Sequence, residues 1–269
     1  IKFGAYTLTG NVNFTHNGTG TSVLKGNTGN RIVGNLTVDT PNASFNNGVT
    51  VSGTVTVADV ASASWTESAD GNTITITDPN GATITITGTP GSVTVAANAV
   101  GNLTITVNPD ASVTNVTINA PNVSVVGAER IDNLNSTETV NVDGNDKPAG
   151  FYYTIATNST IANGATNPTV TVTGINFAAG IGSDDLIVGF GTTGLVFSDI
   201  TRASAAEITV KFTGTAAAGN VTIQARTSAF NPPATEATNT LNITVPAGTV
   251  TVTGISVKTA PTKVTYIEG

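Results

Sequence analysis

The sequence predicts an all-β protein in which an N-terminal β-solenoid, similar to a parallel β-helix, is followed by a β-sandwich. From residue 1 to about residue 150, apolar and polar residues alternate, which is the period of a strand with one buried face. Turn-forming Asn, Gly, Pro and Asp separate these short runs about every 8 to 12 residues. Helical periodicity is absent over any useful length.

An internal repeat favours a solenoid over an antiparallel meander or a sandwich, which would fit the same strand spacing. Residues 34–51 (GNLTVDTPNASFNNGVTV) and 101–118 (GNLTITVNPDASVTNVTI) share their turn residues and apolar positions. Each copy predicts three short strands. The copies begin 67 residues apart, which corresponds to about three coils of roughly 20 to 25 residues.

One segment, residues 73–87, does not fit a simple solenoid. In residues 73–87 (TITITDPNGATITIT), Asp78-Pro79-Asn80-Gly81 lies between two alternating runs, which is a strong hairpin signal. We therefore expect a hairpin that projects from the coils or a local antiparallel pair. The single tryptophan, Trp65, precedes it. Trp65 is expected to pack over an exposed end or flank of the solenoid, and the alternative is a platform for stacking on a sugar.

The pattern breaks between residues 125 and 150, where charge concentrates, so we place a domain boundary there. The predicted domains are residues 1–149, the solenoid; residues 150–247, the sandwich; and residues 248–269, a linker with the start of a further repeat. About seven short alternating strands in the second domain are typical of an Ig-like β-sandwich.

Two stretches resemble modules of bacterial surface proteins. TVTVTGINFAAG, with Gly174, Asn176 and Phe177, and the later hairpin ending in Gly219 resemble the IPT/TIG-type Ig-like modules. The last residues, ISVKTAPTKVTYIEG, resemble the first strands of a bacterial Ig-like repeat of the "Big" type; the matching positions are Ile255, Val257, Pro261, Lys263, Tyr266 and Gly269. The resemblance implies a piece of a longer multi-domain surface chain, as in S-layer proteins and adhesins.

Composition excludes several classes of function. The net charge is −7 with only ten Lys and Arg residues, so the chain has no basic surface for nucleic acid. The resemblance implies an extracellular, cell-surface or cell-wall location, and the absence of Cys fits it, although a cytosolic chain could also lack Cys. No apolar run is long enough to span a membrane.

Candidate sites are few. His16 is the only histidine and lies in a turn-rich segment, so zinc sites and a Ser-His-Asp triad are not expected. Calcium is the one cofactor that the sequence suggests, through Asp143 and Asp146 in one loop and Asp184 and Asp185 in another. The alternative is that both are solvated loops. Thr-x-Thr runs at 54–56, 73–77 and 83–87 are typical of ice-binding solenoids, but the sequence shows no single coil interval for them, which favours ordinary exposed strands.

These observations predict a non-enzymatic structural component of a bacterial surface assembly, S-layer-like or fibrous, that self-associates through its β-rich modules or contacts neighbouring surface proteins. One alternative is an adhesin or carbohydrate-binding module that uses Trp65 and binds cell-wall or extracellular polysaccharide. A third hypothesis, a polysaccharide-cleaving β-helix enzyme, needs several acids aligned on one face. Most acids of the first domain fall in turns instead.

Overall fold

The structure is a computed structural model that describes residues 7–26, 29–61 and 65–248. Within these ranges the chain forms 25 strands, numbered β1 to β25 in chain order, and three 3₁₀ turns of three residues each. The protein is therefore all-β, as predicted.

Three parallel sheets build the N-terminal solenoid. Sheet I contains β2 (Val12–Thr15), β5 (Leu36–Thr40), β8 (Thr54–Val60), β10 (Thr73–Ile76), β12 (Ser92–Val95), β14 (Val113–Ile118) and β16 (Ile131–Ser136). Sheet II contains β3 (Gly20–Lys25), β6 (Ala43–Gly48), β9 (Trp65–Glu67), β11 (Thr83–Ile86), β13 (Leu103–Val107), β15 (Val123–Val126) and β17 (Val140–Val142). Sheet III contains β1 (Thr7–Thr9), β4 (Arg31–Val33) and β7 (Thr50–Val51).

Each of these strands pairs in parallel with the strand one coil earlier or later, which gives about seven turns. The prediction of a solenoid is confirmed, and the antiparallel meander is wrong for this region. In-register stacking also explains the core: Val55, Ile74 and Val93 occupy one column on consecutive strands and are fully buried. Each such side chain contributes about 1.5 to 3 kcal/mol by leaving water.

The two copies of the repeat are not separated by whole coils, so that prediction is wrong. Leu36 begins β5 in sheet I, whereas Leu103 begins β13 in sheet II, which offsets the copies by half a coil. The first copy has the predicted three strands and the second has two, β13 and β14. The shared Gly-Asn pair precedes both strands, at corners where a glycine is needed. A Cβ on Gly34 or Gly101 would meet backbone of the preceding coil at 2.3 or 2.6 Å.

The predicted hairpin at residues 78–81 is also wrong. Its flanking strands, β10 and β11, lie in different sheets, and each pairs in parallel with strands of the neighbouring coils. The segment is a corner, in which the buried Asp78 carboxylate accepts hydrogen bonds from the backbone N–H groups of Asn80 (2.8 Å), Gly81 (2.9 Å) and Val60 of the coil before (2.8 Å). Turn residues suit a coil corner as well as a hairpin, so the local pattern could not distinguish them.

An antiparallel cap closes the C-terminal end of the solenoid. Strand β18 (Asn145–Lys147) pairs with β17, and β19 (Gly150–Tyr153) pairs with β16. Asp143 and Gly144 form the two-residue turn between β17 and β18 with φ of 48° and 84°, the left-handed conformation that an Asp-Gly hairpin turn requires.

The second module contains two three-stranded antiparallel sheets. One contains β20 (Thr169–Thr173), β23 (Glu207–Thr213) and β22 (Val196–Ser204); the other contains β21 (Leu186–Gly189), β24 (Gly219–Ala225) and β25 (Leu241–Val245). Buried residues of both sheets form one core, to which Phe177 and Phe230 contribute a stacked pair. The structure thus shows two small sheets and a shared core, and the Ig-like β-sandwich stays a prediction. The "Big"-type positions, Ile255 to Gly269, lie outside the described residues.

Candidate functional site

Trp65 lies inside the solenoid, not over its end or flank as predicted. Alternation along β9 turns both Trp65 and Glu67 inward, and the Trp65 ring is fully buried. It stacks on Phe45 of the preceding coil, with ring centroids 5.1 Å apart and an interplanar angle of 15°. A ring with no exposed face cannot stack on a sugar, so the structure gives Trp65 a packing role.

A buried polar cluster that the sequence patterns did not predict lies beside Trp65. It consists of Asn47, Glu67 and Asn72, all with no exposed surface. The Glu67 carboxylate accepts hydrogen bonds from Asn72 Nδ2 (2.9 Å), Asn47 Nδ2 (3.0 and 3.1 Å) and the backbone N–H of Ala69 (3.2 Å). The alternation W-T-E in β9 was the available signal, because it places an acid on the inward face.

The cluster marks the place where the solenoid loses its third side. Sheet III ends at β7, and within the described residues no later coil adds a strand to it. The Asn72 side chain replaces that strand: its Oδ1 accepts from Val51 N–H (2.8 Å), and its Nδ2 donates to Val49 C=O (3.1 Å). Asn72 therefore satisfies Val51 N–H, which would otherwise be buried without a partner, and shares Val49 C=O with Asn47 Nδ2 (3.2 Å).

Burial raises the pKa of Glu67 from its ordinary value of 4.5 to about 7, since desolvation penalises the charged carboxylate. The amides of Asn47 and Asn72 and the Ala69 N–H act in the opposite direction and do not fully offset it. The indole N–H of Trp65 has the smallest effect on this pKa and lowers it. The indole nitrogen makes no hydrogen bond of normal length and angle. Glu67 is thus a structural carboxyl that titrates near neutral pH.

The four predicted calcium ligands are engaged in local structure or exposed. The Asp143 carboxylate accepts from the backbone N–H groups of Gly127 (2.7 Å) and Ala128 (3.2 Å), and Asp146 accepts from Asn141 Nδ2 (2.9 Å). These contacts tie the cap to the last coils.

In the second module, Asp185 accepts from Gly182 N–H at 2.8 Å, and Asp184 is exposed. Among the described residues, no three or more His, Cys, Asp and Glu side chains are grouped to hold a metal ion. The structure therefore shows a local role for Asp143, Asp146 and Asp185, and calcium binding stays a prediction.

A polar groove of about 430 Å³ lies over sheet II next to the cap. Thr104, Ser124, Asn141 and Asp146 occupy one register column across β13, β15, β17 and β18 and line its floor. Corner residues complete the lining, among them Asn102, Asn122, Glu138 and Thr139. Hydroxyl, amide and carboxylate groups in such a groove can hydrogen-bond a polar, uncharged ligand.

The comparisons with known proteins returned no match: no family model, no curated protein and no solved structure matches this chain. The helices of the described ranges are three-residue turns, and none is long enough to cross a membrane.

Proposed function

We propose that this chain is a non-enzymatic structural unit of an extracellular bacterial surface assembly, S-layer-like or fibrous. In this proposal the solenoid and an Ig-like second module form one rigid spacer. The observation that carries it is the joint between the modules, where β19 belongs to both. Its backbone pairs with β16 of the solenoid, while the Tyr153 side chain enters the second core and stacks on Phe230 at 4.5 Å.

Reciprocal hydrogen bonds reinforce this joint. Thr235 donates its backbone N–H to Phe151 C=O (2.7 Å), and its hydroxyl accepts from Phe151 N–H (2.9 Å). Asn239 bonds both backbone groups of Ile155 in the same way, at 2.8 and 2.9 Å. Lys147 of the cap forms an ion pair with Glu236. Contacts of this kind restrict rotation between modules, which is what a spacer requires.

The absence of Cys makes the rigidity straightforward to measure. A chain with Thr85→Cys on sheet II and Thr201→Cys on the second module can be spin-labelled at both positions for pulsed dipolar spectroscopy. We expect one narrow distance distribution. Adding Thr235→Val and Asn239→Ala should broaden it, whereas Thr244→Val, the same kind of change on an exposed residue of β25, should not. A broad distribution in the unsubstituted joint would contradict the rigid spacer.

Self-association is the second part of the proposal. Light scattering after size exclusion and negative-stain imaging, with and without calcium, should show defined oligomers, filaments or sheets. Open strand edges offer a route for such contacts. Monomers under every condition would contradict the assembly role while leaving the spacer intact.

The polar groove over sheet II favours a second candidate, a carbohydrate-binding surface module. A neutral glycan could bond Thr104, Ser124 and Asn141 together, because these side chains form one column. A glycan array probed with the chain and with Asn141→Ala tests this directly, and Asn220→Ala in the exposed part of β24 is the matched control. Binding that survives Asn141→Ala would place the glycan elsewhere.

A further inference from the structure

The outward face of sheet I carries two registered columns of hydroxyl side chains. Strand pairing aligns Thr37, Thr56, Thr75, Thr94 and Thr117 in one column and Thr54, Thr73 and Ser92 in the other. We call these eight residues the threonine face. Thr56, Thr75 and Thr94 recur every 19 residues, so the Thr-x-Thr runs of β8 and β10 do share one coil interval, contrary to the expectation from the sequence.

The hydroxyls of the threonine face make no hydrogen bond within the described part of the chain. Threonines at the corners behave differently: Thr77 Oγ1 donates to Val57 C=O (3.4 Å) and Thr87 Oγ1 to Glu67 C=O (3.0 Å), each in the preceding coil. The side chains of the face are at least partly exposed, and β-branching restricts the χ1 angles of its seven threonines. The face therefore presents ordered hydroxyls and methyls with unused hydrogen-bonding capacity.

Regular coil stacking fixes the spacing of these groups. Adjacent strands lie about 4.8 Å apart, and side chains two residues apart along a strand are separated by about 6.6 to 6.8 Å. Stacked coils also keep a sheet flatter than an open twisted sheet. The hydroxyls thus form a nearly rectangular array of two columns, one across the five strands β5, β8, β10, β12 and β14 and one across β8, β10 and β12.

Charge is confined to the borders of this array. None of the eight residues is charged, and Asp39, Asp59 and Asp132 lie towards the ends of their strands. A matching ligand is therefore neutral, flat, periodic and able to hydrogen-bond over its whole surface. A charged polymer would find no counter-charge on the array, and the face lacks the aromatic rings on which sugars stack.

We propose that the threonine face binds ice. The oxygen rows on the surfaces of an ice crystal repeat at distances of the same order as the array, and both are uncharged. The hydroxyls bond lattice water, and the methyl groups between them hold the intervening water in place. A second copy of the chain fits less well, because small polar side chains bury little apolar surface. This activity goes beyond the structural role proposed above and does not depend on it.

Ice affinity of the whole chain tests the proposal. The protein, labelled with a fluorescent dye, is mixed with a slowly growing ice hemisphere, and its concentration in the ice is compared with that in the liquid; microscopy of single crystals records shaping and any freezing-point hysteresis. We expect incorporation and shaped crystals. Thr75→Tyr and Thr56→Tyr, at the centre of the array, should each reduce incorporation to the level of an inert protein, with unchanged circular dichroism and melting.

Two matched substitutions make the assignment specific. Thr201→Tyr on exposed β22 of the second module should leave ice incorporation unchanged, as should Thr85→Tyr on sheet II. Exclusion of the unsubstituted chain from ice would overturn the proposal. So would loss of incorporation with Thr85→Tyr but not with Thr75→Tyr, because the ice-binding face would then be sheet II. A third outcome also overturns the proposal: ice excludes the unsubstituted chain, and Thr75→Tyr abolishes its self-association or its glycan binding. The threonine face would then bind a second copy of the chain or a sugar.

Discussion

Replacing Glu67 by glutamine should remove a pH dependence of stability that the buried carboxyl imposes. Glutamine keeps the size of the side chain and can retain, through its one oxygen, the bonds from Asn47, Asn72 and Ala69. In the native chain, Asn47 Nδ2 donates to the second carboxylate oxygen of Glu67 at 3.1 Å. In the variant, the amide nitrogen of the glutamine takes the place of that oxygen and cannot accept this bond. One hydrogen bond is therefore lost, and the charge that titrates is removed.

The size of the effect follows from the raised pKa. The folded state binds the Glu67 proton more tightly than the unfolded chain, so this group stabilises the fold most below about pH 4.5. That contribution falls as pH rises and is fully lost above about pH 7. Each unit by which the pKa differs between the folded and the unfolded state changes the free energy of unfolding by about 1.4 kcal/mol. A rise in pKa from 4.5 to about 7 therefore corresponds to about 3 kcal/mol.

Trp65 provides the assay. It is the only tryptophan, lies buried beside Glu67, and reports unfolding of the solenoid by its fluorescence. Denaturant unfolding of the native chain and of Glu67→Gln should be measured from pH 4 to pH 9 and the free energies subtracted at each pH. Subtraction removes the contribution of carboxyls common to both chains, including Asp59 and Asp132, whose pKa values burial also raises.

The free energy of unfolding of the native chain minus that of Glu67→Gln should be about 3 kcal/mol larger at pH 4 than at pH 8. Most of this change should occur between pH 4.5 and 7. A difference that stays constant with pH would refute the reasoning, because it would mean that the carboxyl is solvated or fully compensated in the folded state. An opposite slope would show that the amide donors outweigh desolvation.

Three further substitutions test other parts of the structure. Asn72→Ala leaves Val51 N–H without its acceptor, whereas Val49 C=O keeps its bond from Asn47 Nδ2 (3.2 Å). The substitution should therefore cost about 1 to 3 kcal/mol; Asn46→Ala on the outer face of β6 is the control, and equal small losses would contradict the edge-capping role. Asp143→Ala should lower the free energy of unfolding by about 1 to 3 kcal/mol, equally in EDTA and in calcium; a loss seen only with calcium would show that the carboxylate acts through the ion. Gly101→Ala should lower the melting temperature of the solenoid, because its Cβ would meet Asn80 C=O at 2.6 Å; an unchanged melting temperature would mean that the coils can separate locally.

Much of the fold could be read from local patterns. Alternation identified the strands of the solenoid, and the repeat favoured stacked coils over a meander. The corner at Asp78 shows the limit of such reasoning, because its residues suit a hairpin and a coil corner equally. What decided between them was pairing with strands about 20 residues away, which no local pattern encodes. The half-coil offset between Leu36 and Leu103 has the same cause.

The sequence alone determined the all-β class, the alternation of buried and exposed positions, the scarcity of charge and the absence of sulfur chemistry, because these depend on residue type and short-range periodicity. The tertiary structure decided which residues meet. Only coil stacking placed Trp65 on Phe45, joined Glu67 to two asparagines at the end of sheet III, and aligned threonines from separate coils into one array, since each of these contacts depends on register between strands that are distant in the chain.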